Sequence, residues 1–215
     1  NKDLKTAERN DENMEVVLDM RVSDAEGCHA LGIQAGDYIS LDPRFVFSAD
    51  GFIKSRHMDD KASAAVLITL ARAFASGAAS CRRPVHLLFT NYEEVGHGAS
   101  AGHPQGIFDM IAVDMGVVGD DLSTDELKVS ICAKDSHGPY NRALTGALVD
   151  TAKRHGLNYA VDVYPFYGSD TAAALSAGHD YRHALIGPGV SASHGYERVH
   201  EEGLWNTLAL LFHYL

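Results

Sequence analysis

The sequence predicts an α/β fold, a sheet covered by helices, and three observations lead there. From Gly51 onward apolar strand-like runs alternate with segments whose apolar residues recur at helical spacing. Residues 85–92 and 110–115 are continuous apolar runs of the buried-strand kind. Gly77, Gly156 and Gly178 each stand where a helix would stop. A chain of 215 residues can hold one sizeable core, or a core of about 150 residues with a small satellite. Its 46% hydrophobic and 22% charged residues are ordinary for a globular protein, and 20 Gly against 6 Pro exclude a collagen-like chain.

Taken in order, residues 1–13 are a polar, charged run read as a linker or frayed terminus. Residues 15–20, 38–41 and 44–47 read as short strands and residues 23–31 as one or two helical turns, with Ala35-Gly36-Asp37 a turn between. Residues 14–50 therefore form part of a small β module, since so short a stretch buries little core alone. Residues 60–76 carry Ala64, Leu67, Leu70, Ala71 and Phe74 on one helical face. Strands follow at 85–92, 110–115 and 128–133, then a helix at 145–155, a strand at 158–163, a helix at 171–177, a strand at 183–186 and an amphipathic helix at 201–215.

The charge of −11, from 29 acidic and 18 basic residues, repels phosphate backbones and anionic membranes, so neither nucleic acid nor membrane is expected as a partner. No apolar stretch reaches the length of a membrane span, and the N-terminus lacks the order of a secretory signal. Cys28, Cys81 and Cys132 are odd in number and far apart, which suits structural thiols in a reducing cytoplasm. Twelve histidines supply many imidazoles, the usual transition-metal ligand.

Chemistry gathers where strands end, and four such places carry polar residues: His57-Met58-Asp59-Asp60, Glu93-Glu94, Asp114 and His194. Singly each has a structural reading. Asp59-Asp60 can cap a helix, Glu93-Glu94 can be a solvated strand end, Asp114 a turn carboxylate and His194 a surface or core histidine. Together they are oxygen and nitrogen donors of the type divalent ions take, each from the end of a different predicted strand. Two adjacent carboxylates ending a buried strand repel each other unless a cation or a shared proton compensates. One can then bind metal while its neighbour serves as a base.

Four blocks carry a resemblance: Ser55-Arg56-His57-Met58-Asp59-Asp60-Lys61-Ala62-Ser63, Phe89-Thr90-Asn91-Tyr92-Glu93-Glu94-Val95-Gly96-His97-Gly98-Ala99, Val113-Asp114-Met115-Gly116 and His194-Gly195-Tyr196-Glu197. In order and spacing they resemble the glutamyl and deblocking aminopeptidases, the tetrahedral aminopeptidases, and the similarity runs from about Met14 to the C-terminus. The resemblance implies a zinc-aminopeptidase-like α/β domain with a central mixed sheet, interrupted by a small β-barrel domain used in dimerisation. It implies two divalent metal ions, zinc or cobalt. Asp59 would bridge them, Glu94 and His194 would complete one, Asp114 would bind the other, and Glu93 would be general base and acid. Asp60 would support the catalytic group from behind the ligands or cap its helix, and His57 would orient Asp59 or line the substrate pocket.

The family also has a histidine ligand in a His-x-Asp block upstream of the small domain, and nothing before Asp59 here has that context. The resemblance thus implies a C-terminal piece, with residues 14–50 part of the small domain and 51–215 a catalytic domain lacking its first strands. Asp170, in Gly168-Ser169-Asp170-Thr171, resembles a substrate-side loop and would hold a peptide amine or orient a ligand; a helix cap is the alternative. His97, His103 and His137 are loop histidines or pocket residues, Glu197 braces the His194 loop, and Tyr164, Phe166 and Tyr167 are core or interface aromatics. The expected function is removal of the N-terminal residue of peptides by a homo-oligomer, dimer-based and dodecameric in the full-length protein. The alternatives are a related metal-dependent amide hydrolase or deacylase, and an inactive assembly or peptide-binding subunit.

Overall fold

The structure, a computed structural model, describes residues 5–10 and 12–215. The polar run 1–13 falls partly on residues 1–4 and 11, outside the described residues; the rest of it is mostly exposed. The chain divides into two compact units, Asn1–Leu41 and Asp42–Leu215.

In the first unit the expected short helix forms as α1 (Ala25–Ala30), where the Asp24 carboxylate accepts the Gly27 N–H at 2.8 Å. The strands expected at 15–20 and 38–41 do not form. An apolar run becomes a strand only where a neighbour offers a ladder for its backbone groups. Val16, Val17, Tyr38 and Ile39 are exposed instead.

The second unit holds two sheets. In the smaller, β2 (Phe52–Ser55) lies between β1 (Val46–Phe47) and β9 (Glu197–His200), antiparallel to both. The strand expected at 44–47 shrinks to β1, and β9 carries too few apolar residues for its sequence to announce a strand. The larger sheet is mixed. β8 (Arg182–Val190) runs parallel to β3 (Asp109–Val113) and to the short β4 (Gly116–Val117), and antiparallel to β5 (Val129–Asp135). β5 in turn pairs in parallel with β7 (Tyr159–Val163) and in antiparallel with β6 (Gly138–Pro139).

Helices flank this sheet. Val66 and Leu70 of α2 (Met58–Ala75), Leu144 and Leu148 of α3 (Arg142–Arg154) and Leu210 and Leu211 of α5 (Glu201–Tyr214) pack on Val129, Ile131, Ala184 and Ile186. Strand side chains alternate, so Cys132 and Leu185 point the other way, into a second cluster with Ala112, Tyr140 and Tyr164. α4 (Asp170–Ser176) packs against β3 and β8. The helix stops read from the sequence hold: Gly77 and Gly156 take φ 76° and 63°, where a Cβ would be strained.

The strand expected over residues 85–92 does not form, although its pattern was that of a buried strand. Its residues lie outside any ladder, and β3 is the edge strand of the larger sheet. A cavity of about 1130 Å³ is lined by this segment, by β3 and by Leu67, Leu70, Leu211 and Tyr214. Composition gave the segment its apolar character, but the backbone partner that turns such a run into a strand is not beside it.

Candidate metal centre

Each donor sits where a regular element gives way to a turn. β2 leads into His57, whose φ of 63° is left-handed, and then into Asp59 and Asp60, whose backbones are not helical and whose joining peptide is cis. The regular part of α2 follows, with the Asp60 carboxylate accepting the Ser63 N–H at 3.4 Å. Asp114 ends β3: its N–H donates to the Ile186 carbonyl at 2.9 Å and its Oδ1 accepts the Met115 N–H at 2.7 Å. Glu93 and Glu94 open the 3-10 turn Glu93–Val95, closed by Gly96 at φ 81°. His194, at φ 65°, lies in the loop between β8 and β9.

These turns converge. His194 Nε2 is 3.3 Å from Asp59 Oδ2 and 3.2 Å from Glu94 Oε2. Asp59, Glu94 and His194 offer ligand atoms within 4.8 Å of one another, and so do Asp59, Asp60 and Asp114. Asp59 thus belongs to both groups.

The electrostatics follow from so many carboxylates in one place. Burial raises the Asp114 carboxyl well above its usual range, and Asp59 and Glu93 raise it further. Burial does the same to Asp60, helped by Asp114 and Asp59. Glu93 is pushed up to about 7 by burial, then by Asp170, Glu94 and Asp59, and Glu94 is raised by burial and by Asp59. The ion pairs of Asp59 and Glu94 among the described residues are with His194 alone. Clustered oxygen and nitrogen donors, with more negative charge than the protein itself balances, fit divalent cations.

Two neighbours, Ser193 and Tyr167, were not assigned to the site from sequence, while Glu197, expected to brace the His194 loop, makes a second tie as well. Ser193 donates its hydroxyl to Asp59 Oδ2 at 2.8 Å. Tyr167, expected as a core or interface aromatic, donates its hydroxyl to the Met115 carbonyl at 2.9 Å, beside Asp114. Glu197 braces the His194 loop by accepting the His194 N–H at 3.0 Å, and also accepts from Met58 and Asp59. The adjacency of Ser193 to His194 was the one available signal for it; Tyr167 offered none.

The other candidates divide between the cavity that the donors also line and places away from it. Asp170 spends both oxygens locally, accepting the Thr90 hydroxyl at 2.6 Å and the Ala99 N–H at 3.0 Å. Asp170, His57 and His103 line the large cavity. His97 stacks on Tyr92 with centroids 4.8 Å apart, and His137 lines a separate small pocket with Asp135 and Tyr140. Tyr164 is buried, whereas Phe166 is almost wholly exposed.

The sequence profile of the M42 glutamyl aminopeptidases matches residues 1–210. The chain belongs to that family. It is 46% identical over 214 residues to the Bacillus subtilis (strain 168) protein named "Putative aminopeptidase YhfE". The alignment takes in all of this chain and 62% of that one, so the M42 chain spans less than two thirds of its relative's length. Among solved structures, the fold resembles the aminopeptidase APDkam598 of Desulfurococcus kamchatkensis, with a TM-score of 0.75 at 18% identity, covering 97% of this chain and 63% of that one. It also resembles the TET1 peptidase of Pyrococcus horikoshii, described as assembling into a tetrahedron or a large octahedral shell, with a TM-score of 0.65 at 21% identity over 78% and 52%. Among the described residues of this M42 chain, no helix is long and apolar enough to cross a membrane.

Proposed function

We propose that this chain provides most of the metal-binding and catalytic residues of an aminopeptidase that removes N-terminal residues from peptides with the help of two divalent ions, zinc or cobalt. The observation that carries the reading is the membership of Asp59 in both donor groups, which is what a bridging carboxylate requires. Asp59, Glu94 and His194 would hold one ion; Asp59 and Asp114 the other, with Asp60 beside them. Such ions, when bound, acidify water and polarise a carbonyl.

The remaining steps belong to the chain's own side chains. Glu93 lies beside Glu94, and its carboxylate would take a proton from water and pass it to the departing amine. Ser193 donates its hydroxyl to Oδ2 of Asp59 and so helps fix the orientation of that carboxylate. Asp170 ties the segment bearing Glu93 to α4 and, with His57, lines the cavity where a peptide would lie. In the same reading the cavity beside β3 takes a strand from the part of the relatives that this chain does not span, carrying the histidine the family pattern asks for. The longer protein would be a cytoplasmic homo-oligomer built from dimers.

Calorimetric titration of zinc and cobalt into the chain, and into an N-terminally extended one, tests this reading together with hydrolysis of aminoacyl-amides. Tight binding of two ions by the extended chain, with hydrolysis lost in Glu93→Gln while both ions are kept, is the expected result. An extended chain that binds two ions and hydrolyses nothing overturns the peptidase assignment in favour of an assembly or peptide-binding role.

A further inference from the structure

We infer that Glu197 is a positioning residue that locks the Asp59 turn and the His194 turn into one unit. Its side chain is 1% exposed, at the start of β9 and paired in register with Ser55 at the end of β2. Oε1 accepts the N–H of His194 at 3.0 Å; Oε2 accepts the N–H of Asp59 at 3.1 Å and that of Met58. A buried carboxylate without a cationic partner is costly unless its lone pairs are filled, and here backbone N–H groups fill them. None of the ion pairs among the described residues includes Glu197.

The two turns it joins are unusual in the same way. His57, just before Met58, and His194 itself both take left-handed φ, 63° and 65°, which L side chains rarely adopt and which persists where surroundings over-determine it. The residues whose N–H groups Glu197 holds include the two whose side chains meet 3.3 Å apart, Asp59 and His194. One carboxylate therefore sets the spacing of two donors 135 residues apart in sequence. The outer side of the same loop has its own brace, in which Glu126 accepts from Ser191 and from the Arg198 guanidinium, so Glu197 is the inner tie. Glutamine at 197 would keep the volume but offer an N–H₂ where an acceptor is needed, so one turn is released and the other, no longer tied to it, loosens with it.

The inference deepens the metal-site reading and rests on it for its effect on cations, while the tie itself is read separately. In Glu197→Gln, amide hydrogen exchange at Met58, Asp59 and His194 is expected to speed up together by tenfold or more, with Val129 and Ile131 unchanged. Zinc affinity, by calorimetry, is expected to fall 10- to 100-fold, as for lost groups that orient metal ligands. Acceleration at one turn alone, a uniform rise across the core, or unchanged zinc affinity in a folded variant overturns the proposal. If the native chain binds no zinc, the metal reading falls and amide exchange alone decides the role of Glu197. Should E197Q not fold, Glu197→Asp carries the same readouts, because a side chain one methylene shorter cannot span both turns.

Discussion

Two halves of the carboxylate cluster are held by different means. Asp114 ends a strand laddered to β8 and pinned at its start by the Arg182–Asp109 pair, with bonds of 2.6 and 2.8 Å. Asp59 and His194 are tied through buried Glu197 and through Ser193. Glu93 and Glu94 hang instead on a segment that joins no ladder, fastened to α4 by two hydrogen bonds to Asp170. Donors on a packed frame have their geometry before any ligand arrives, whereas donors on a tethered segment can adjust to one. In the proposed mechanism, the framed half supplies most of the ion ligands, while the tethered half adds Glu94 to one ion and moves the proton through Glu93.

The strongest way to break that contrast is at the residue both donor groups share. Asp59→Asn is expected to abolish both ions in a zinc titration, whereas Glu94→Gln, on the tethered half, should cost one of them. Equal losses in the two variants would mean that Asp59 does not bridge.

Rigidity of the framed half is tested at Gly187. A Cβ there would lie 1.5 Å from the Asp114 carbonyl oxygen, a backbone atom that cannot swing aside. Gly187→Ala is therefore expected to destabilise the chain by about 1–3 kcal/mol through overpacking, which is about 2–4 °C in Tm for each kcal/mol in a domain of this size. An unchanged Tm with unchanged zinc affinity would show that the end of β3 yields.

The tethered half has a milder weak point. Asp170→Ala removes the acceptor for the Thr90 hydroxyl and the Ala99 N–H, bonds to a charged group worth about 1.5–3 kcal/mol each before the exposure of the segment is allowed for. Faster limited proteolysis between residues 90 and 99, with little change in global Tm, is the expected outcome. A large drop in Tm would place this segment inside the cooperative core.

The same contrast explains what the sequence could announce. Apolar runs that found partners, such as Ile131 with Ile186 and Leu185 with Ala112, became the strands their pattern predicted. Residues 85–92 had an equally clear pattern and stayed outside any ladder, because a strand depends on its neighbour's free backbone groups, which no local pattern records. Asp59, Glu94, Asp114 and His194 were legible because each is a donor, alone or with one acidic neighbour, at the end of a run read as a regular element. Ser193 and Tyr167 were not, since their roles arise from distances across the fold. The second tie made by Glu197 follows from its pairing with β2, and its own strand was invisible in the sequence.

The smallest expected effect concerns pH in the cation-free chain. Folding raises the carboxyls of Asp60, Asp114, Glu94 and Glu93, the last to about 7, so the folded state holds protons that the unfolded chain releases near pH 4–5. Their contribution to stability is complete below that range and is withdrawn as pH rises through the folded values. Glu93 is only half-buried, so solvent screening reduces its share to about 1 kcal/mol, or about 2–4 °C. With chelator present, Tm is expected to fall between pH 5 and pH 8, and Glu93→Gln to flatten part of that fall. Zinc reverses it, because cations favour the ionised carboxylates. A chelated chain whose Tm profile is identical with and without Glu93 would mean that the tethered half swings clear of the cluster when no ion is there to hold it.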